Sequence, residues 1–125
     1  VGEKCRKVLG SGDHGSTFGG NPVACAGGVS ILSRIDDALL AGVRARSRYI
    51  FDQLTGAPGV QSVSGLGLMI GIKTEKPAGE VVKACMEKGV LCLTAKEKVR
   101  LLPALNITMD ELKEALDIIK AVCAA

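Results

Sequence analysis

A glycine-rich segment near the start of the chain places the strongest constraint on what this sequence can form. Residues 11–20 are Ser-Gly-Asp-His-Gly-Ser-Thr-Phe-Gly-Gly, with four glycines within nine positions, and Asn21 and Pro22 follow directly. Glycine permits positive φ and a close approach of the backbone to a ligand, whereas Asn caps a helix and Pro suits its first turn. The segment therefore predicts a loop that leads into a helix N-terminus. Such an arrangement binds phosphate or carboxylate through free N–H groups and the helix dipole.

Two hydroxyls and one imidazole lie within this loop. Ser16 and Thr17 are the candidate anion ligands, because a hydroxyl makes a stronger hydrogen bond to a charged oxygen than to a neutral one. The residues alone leave an equal alternative, in which both hydroxyls satisfy the loop's own backbone. His14 is the only histidine of the chain. Because only Asp13 stands near it as a potential partner, we expect His14 to be structural rather than a general base or a metal ligand.

Residues 12–22 resemble the matching segment of the class III, pyridoxal-phosphate-dependent aminotransferases, and the similarity extends along nearly the whole chain. In that class the Ser-Thr pair lies at the dimer interface and binds the cofactor phosphate of the neighbouring subunit. The resemblance therefore implies pyridoxal 5'-phosphate as cofactor, Ser16 and Thr17 as cofactor-binding residues, and a homodimer.

The resemblance also implies a reaction. Such enzymes transfer an ω-amino group from a small-molecule amino donor to 2-oxoglutarate, and this chain is most similar to those that act on N-acetylornithine in arginine biosynthesis. Enzymes that use ornithine, 4-aminobutyrate or succinyl-diaminopimelate are the alternatives within the class. The Schiff-base lysine of the class lies upstream of the matching segment. The chain therefore corresponds to a C-terminal portion, which we expect to be inactive alone and to hold no catalytic residue.

Arg100 is the candidate substrate-binding residue. In a strand, Val99 and Leu101 point to one face and Arg100 to the other, and an unpaired charge in such an apolar strand is costly. Its guanidinium presents two parallel donors that match a carboxylate. Spacing alone slightly favours an internal ion pair or a side chain that reaches solvent. Residues 99–108, however, resemble the class III segment whose arginine clamps the substrate α-carboxylate, and this implies the same role for Arg100.

Two positions depart from the class pattern. Ala104 stands where a second proline is common, and Ser64 precedes Gly65 where the class often has an arginine. Neither change affects the residues assigned to the cofactor or the substrate.

Composition argues against other kinds of partner. Hydrophobic residues make up 47% and charged residues 23% of the 125 residues, which is typical of one globular domain. Aromatic residues make up only 2%, so platforms for stacking nucleic-acid bases are scarce. A net charge of +3, without clustered bases, gives no support to binding of nucleic acid or of a membrane surface. We therefore expect neither partner.

The five cysteines form no C-x-x-C pair, and their number is odd. Most of them lie in apolar surroundings, so we expect buried, reduced thiols rather than disulfides or metal ligands. Reduced thiols are typical of the cytoplasm, which is the predicted location.

Hydrophobic periodicity predicts alternating helices and strands. The helices are expected from Asn21 onward and over 36–55, 77–89 and 108–122, and the strands over 60–63, 66–72, 90–93 and 98–102. This order predicts an α/β (α+β) fold, in which helices cover a mostly antiparallel sheet of three or four strands. The class resemblance implies the small C-terminal domain of a fold-type I pyridoxal-phosphate enzyme, preceded by a long interdomain helix.

The expected organisation is a loop and lead-in over 1–20, interdomain helices over 21–55 and a small α/β domain over 56–125. The first helix carries small residues on one face, which predicts tight packing against another domain or subunit. A functional alternative is a non-catalytic, amino-acid-binding regulatory module, because the 60–125 half resembles small amino-acid-sensing domains. Such a module would need neither Arg100 nor the Ser16-Thr17 pair.

Overall fold

The computed structural model describes residues 2–125, which fall into two compact units with the division between Ile35 and Asp36. In the first unit, a 3₁₀ turn at Glu3–Cys5 precedes the glycine-rich loop, and helix α1 then spans Pro22–Leu32. Every described residue of this unit is exposed to solvent. The Asn21 cap and Pro22 in the first turn are the local signals that start α1. The predicted packing of α1 against another domain or subunit stays a prediction.

The second unit contains a four-stranded sheet and three helices. Its elements are α2 (Asp37–Leu54), β1 (Val60–Leu66), β2 (Met69–Thr74), α3 (Ala78–Glu87), β3 (Leu93–Ala95), β4 (Lys98–Leu101) and α4 (Met109–Ala124). The strand order is β1-β2-β4-β3, and every neighbouring pair is antiparallel. The predicted fold class, an α/β arrangement with a mostly antiparallel sheet, is confirmed.

The hydrophobic core of the second unit lies between one face of this sheet and the three helices. Alternation along the strands buries Ile70 and Ile72 of β2 together with Val99 and Leu101 of β4. The helices contribute the apolar stripes that the three- and four-residue spacing predicts; their buried residues are Val43, Ile50 and Leu54 of α2, Ala78, Val81 and Cys85 of α3, and Leu112, Leu116, Ile119, Val122 and Cys123 of α4.

The helix ends are defined by local caps. The carboxylate of Asp36 accepts a hydrogen bond from Leu39 N at 2.8 Å and so caps the start of α2. At α4, Thr108 and Glu111 form a reciprocal capping box. Pro77 directly precedes α3, and Gly89, with φ +87°, follows its end. Among the described residues, no helix is both long enough and apolar enough to cross a membrane.

The expectation of one strand over 66–72 is wrong. Residues 60–74 form a hairpin in which Leu66 pairs with Met69 and the chain reverses at Gly67-Leu68. Gly67 has φ +57°, a value that tight hairpin turns require and that glycine adopts without strain. Leu66 therefore ends β1 and is 90% exposed, instead of sharing the buried face with Ile70.

The expectation of a strand over 90–93 is also largely wrong. Val90 N donates to Cys85 O at 2.9 Å, which closes the end of α3 and keeps this backbone out of the sheet. Strand β3 begins only at Leu93 and extends through Thr94 and Ala95, beyond the end of the expected strand. The link itself is the Lys96-Glu97 turn.

By packing, α2 belongs to the second unit, because Val43, Ile50 and Leu54 contribute to its core. The domain limits predicted from the sequence, 1–20, 21–55 and 56–125, describe roles in a longer enzyme and stay a prediction.

Candidate functional site

The first candidate site is the corner of the glycine-rich loop that carries Ser16 and Thr17. Gly19 N donates to Ser16 O at 3.1 Å, and Asn21 N donates to Phe18 O at 3.2 Å, so two consecutive turns lead into α1. Both hydroxyl-bearing residues are exposed. Within the described chain, no hydrogen bond occupies either hydroxyl or the backbone N–H of either residue. These four donors are free to bind an anion.

The expectation of free N–H groups at the helix N-terminus is wrong. Asn21 Oδ1 accepts hydrogen bonds from Val23 N at 2.9 Å and from Ala24 N at 3.1 Å, while Pro22 has no N–H to offer. Cys25 N donates to Asn21 O at 2.9 Å. The same asparagine that starts the helix therefore occupies its first-turn donors. The helix dipole remains, but hydrogen bonds to an anion have to come from the loop.

Neither His14 nor Asp13 takes part in a reactive arrangement. Asp13 turns back within the loop, where its Oδ2 accepts from Gly10 N at 2.6 Å. His14 is exposed. Nowhere in residues 2–125 do three histidine, cysteine or acidic side chains come together as a metal site would require.

The second candidate site is the sheet face opposite the core, here called the open face. Its residues are Ser62, Ser64, Leu66, Met69, Gly71, Lys73, Leu93, Ala95, Lys98 and Arg100, which pair across the strands. All are exposed or half-buried. None of the four strands contains an acidic residue, although the open face carries three cationic side chains. The open face is therefore suited to an anionic ligand.

Arg100 lies near the middle of the open face. Strand β4 places it opposite Gly71 on one side and Leu93 on the other. Its Nε is fully enclosed and has no hydrogen-bond partner within the described chain. The ion pairs found in that chain join Arg6 to Glu3, Lys113 to Asp110 and Lys120 to Asp117. Arg100 therefore forms no ion pair within the described chain, contrary to the alternative that spacing alone favoured.

Sequence reasoning missed Lys98. This side chain crosses from β4 over β2 to β1, where its Nζ donates to Ser64 Oγ at 2.7 Å. Gly71 lies beneath this crossing, where a Cβ would come within a tight 3.1 Å of Lys98 Cδ. The signal was available in the sequence. Strand period two places residues 98 and 100 on the same face.

The buried thiols form a separate group in the core. Cys85, Cys92 and Cys123 are buried, as predicted for most of the cysteines, whereas Cys5 and Cys25 are exposed. Burial, with a smaller contribution from the neighbouring Cys92, raises the pKa of Cys85 to about 12. Burial also raises the pKa of Cys92 and Cys123. Because the thiolate is the reactive form, these three thiols are chemically quiet at neutral pH.

The loop, the antiparallel sheet and the arginine strand define a class of protein. The family model for class-III aminotransferases matches residues 2–123, so this chain belongs to that family, whose members depend on pyridoxal phosphate. Among curated relatives, the chain is 39% identical to an acetylornithine aminotransferase of Haemophilus ducreyi over 98% of its own length and 32% of that protein. It is 41% identical to the enzyme of the same name from Corynebacterium efficiens, over 94% of the chain and 30% of the relative.

Solved structures agree with this assignment. An acetylornithine aminotransferase from Elizabethkingia anophelis superimposes with a TM-score of 0.76 at 29% identity, covering 92% of this chain and 33% of that one. An ornithine aminotransferase from Toxoplasma gondii, with pyridoxal phosphate at partial occupancy, superimposes with a TM-score of 0.76 at 31% identity. The match covers 94% of this chain and 30% of that one. The chain thus spans about a third of the length of the curated relatives it matches. The family and fold predicted from the sequence are confirmed.

Ser16 and Thr17 lie in the first unit and Arg100 in the second. Each site is described within its own unit, and the roles assigned to these residues in an aminotransferase are proposals.

Proposed function

We propose that this chain is part of an aminotransferase that moves the ω-amino group of N-acetylornithine to 2-oxoglutarate in arginine biosynthesis. The names of the curated relatives support this substrate. A homodimer and a cytoplasmic location are part of the same proposal. Pyridoxal phosphate, when bound, supplies the electron sink for amino-group transfer.

Ser16 and Thr17 are proposed to bind the cofactor phosphate. Their fit to a phosphate rests on chemistry: two hydroxyls and two backbone N–H groups are free at one exposed corner. A phosphate dianion strengthens each hydrogen bond that it accepts. Because the donors come from a turn rather than from α1, the site depends on the loop conformation. In the proposed dimer this corner binds the phosphate of the neighbouring subunit.

Arg100 is proposed to hold the substrate α-carboxylate. One observation carries this assignment: its Nε is enclosed and unpartnered on a sheet face that has no acidic strand residue. A carboxylate can satisfy Nε and a terminal nitrogen of the guanidinium together, as a forked pair. Burying a donor without a partner costs about 1–3 kcal/mol, so a ligand that supplies the partner gains affinity.

The residue that forms the Schiff base is proposed to lie outside these 125 residues. The 125-residue chain alone is then expected to show no transamination and no absorbance band of a lysine–cofactor adduct. Ornithine as donor is the second candidate, because ornithine aminotransferases occur among the solved structures with TM-scores of 0.76.

The decisive experiment is Arg100→Lys in the complete aminotransferase. Lysine keeps the charge but not the fork, so we expect kcat/KM for N-acetylornithine to fall about 10- to 1000-fold. The melting temperature should move by only a few degrees, because the truncated head lies outside the core. Arg44→Lys, at an exposed position of α2, is the matched control and should change neither quantity.

Near-normal turnover in Arg100→Lys, together with a large loss of stability, would make Arg100 a structural residue. If the wild-type enzyme instead transaminates ornithine in preference to N-acetylornithine, the second candidate replaces the first. Binding of free amino acids without any cofactor-dependent turnover would favour the regulatory module.

A further inference from the structure

The crossing of Lys98 over the sheet gives the open face a second cationic group beside Arg100. We propose that Lys98 is a specificity-determining residue that binds the second carboxylate of a dicarboxylate ligand, while Arg100 binds the first. The inference rests on the proposed function, since it assigns the distal end of the acceptor 2-oxoglutarate to Lys98.

The position of the Lys98 ammonium is defined by contacts at two points. Its Nζ donates to Ser64 Oγ at 2.7 Å, and its aliphatic chain passes above Gly71. A side chain anchored in this way loses less conformational freedom on binding than a free lysine would. An ammonium has three donors, and the hydrogen bond to Ser64 uses one of them. Two donors remain for a ligand.

Arg100 and Lys98 present their cationic groups on the same face of the sheet. Both side chains leave β4 on the open face, two residues apart, which corresponds to roughly 6.7 Å along the strand. Gly71 lies directly opposite Arg100 and directly beneath the Lys98 side chain. The Lys98 chain takes the room that Gly71 leaves, and it carries the ammonium to Ser64, which lies in the same cross-strand row as Gly71 and Arg100. Both cationic groups are therefore presented along one row of the open face, where a dicarboxylate can contact the two together.

The surroundings leave both cationic groups without competing anions. Neither Lys98 nor Arg100 takes part in an ion pair within the described chain. Lys73, opposite Lys98 on β2, adds positive charge to the open face. Ser64 occupies the position where the class often has an arginine. In this chain, Lys98 of β4 therefore places a positive charge next to the β1 position where the class often has an arginine.

The test measures binding of two unreactive ligands to the complete protein by calorimetry. Glutarate carries two carboxylates and butyrate carries one, and neither can be transaminated. We expect the wild type to prefer glutarate. Lys98→Met keeps most of the aliphatic length but removes the charge, and it should weaken glutarate binding about tenfold, the equivalent of one charge-assisted hydrogen bond. Butyrate binding should be unchanged.

Three further variants separate this proposal from a general effect of charge. Lys73→Met removes a charge from the same face without touching Ser64 or Gly71, and it should leave the glutarate preference intact. Lys98→Arg restores a cation and should recover part of that preference. Gly71→Ala places a methyl group against the Lys98 chain and should reduce the preference without changing the net charge.

Each outcome decides one of the two assignments. Equal weakening of glutarate and butyrate in Lys98→Met, no effect in either, or an equal loss in Lys73→Met would overturn the role of Lys98. Arg100→Lys is expected to weaken both ligands. If it weakens neither while Lys98→Met still removes the glutarate preference, the Arg100 assignment fails and the Lys98 assignment stands.

Discussion

The two compact units of this chain reach ordered structure by different means. In the first unit every described residue is exposed, and α1 depends on an asparagine cap and a proline in its first turn. In the second unit a continuous apolar core joins one sheet face to three helices. The family model nevertheless covers both. The family match therefore extends over a loop without a core as well as over a packed domain.

The two units should differ most in the stability that is lost when a large apolar side chain is shortened to alanine. Leu116→Ala removes a side chain that is 1% exposed at the centre of α4, and it should lower the free energy of unfolding by about 2–5 kcal/mol. In the 125-residue chain alone, Ile31→Ala removes a similar side chain that is 59% exposed in α1, and it should change stability by less than about 0.5 kcal/mol. Denaturant unfolding of both variants measures the contrast. Equal losses would mean that α1 is also packed in solution.

A smaller contrast concerns the thiols at high pH. The pKa of Cys85 rises from an ordinary 9.0 to about 12 on folding, so the folded chain keeps this proton when the unfolded chain has lost it. The stabilisation is complete below pH 9 and is lost as pH rises toward 12, at up to about 1.4 kcal/mol per pH unit. Cys85→Ala should make the alkaline stability profile shallower.

Cys25 provides the control for this measurement, because its thiol is exposed in the first unit. Cys25→Ala should leave the slope of stability against pH unchanged. A Cys85→Ala variant whose alkaline profile matches the wild type would assign the loss of stability to other groups.

The smallest expected effect concerns the helix caps. Thr108→Ala removes the capping box of α4 and should cost about 1 kcal/mol in the cooperative unfolding of the second unit. Asn21→Ala removes the corresponding cap of α1. The backbone amides of Val23 and Ala24 donate to Asn21, so the variant should show faster amide exchange at these two residues. The main unfolding transition of the second unit should be unchanged. A main transition that shifts equally in both variants would join the two units into one cooperative structure.

The sequence predicted helices better than strand ends. Helices α2 and α4 combine a long apolar period with a recognisable cap, and both signals are local. The hairpin at Gly67 and the late start of β3 depend on other factors. A continuous apolar sequence does not show at which residue the chain turns back to form a hairpin. Val90 is kept out of the sheet by its hydrogen bond to Cys85 of the preceding helix.

The candidate site shows the same limit. Arg100 could be assigned from its strand and from the class resemblance, because alternation fixes its face. The occupied N–H groups of Val23 and Ala24 could not be foreseen, since the capping asparagine competes with an anion for the same donors. Lys98 lies two positions from Arg100, but its proposed role depends on its contact with Ser64, 34 residues away in the chain.

The enclosed Nε of Arg100 has a consequence for the stability of this fold. A donor that finds no acceptor within the protein leaves the chain less stable than its packing alone would allow. Selection for stability alone would replace such an arginine with an apolar side chain. In the proposed role of Arg100, this position gives up folding free energy for recognition of a carboxylate.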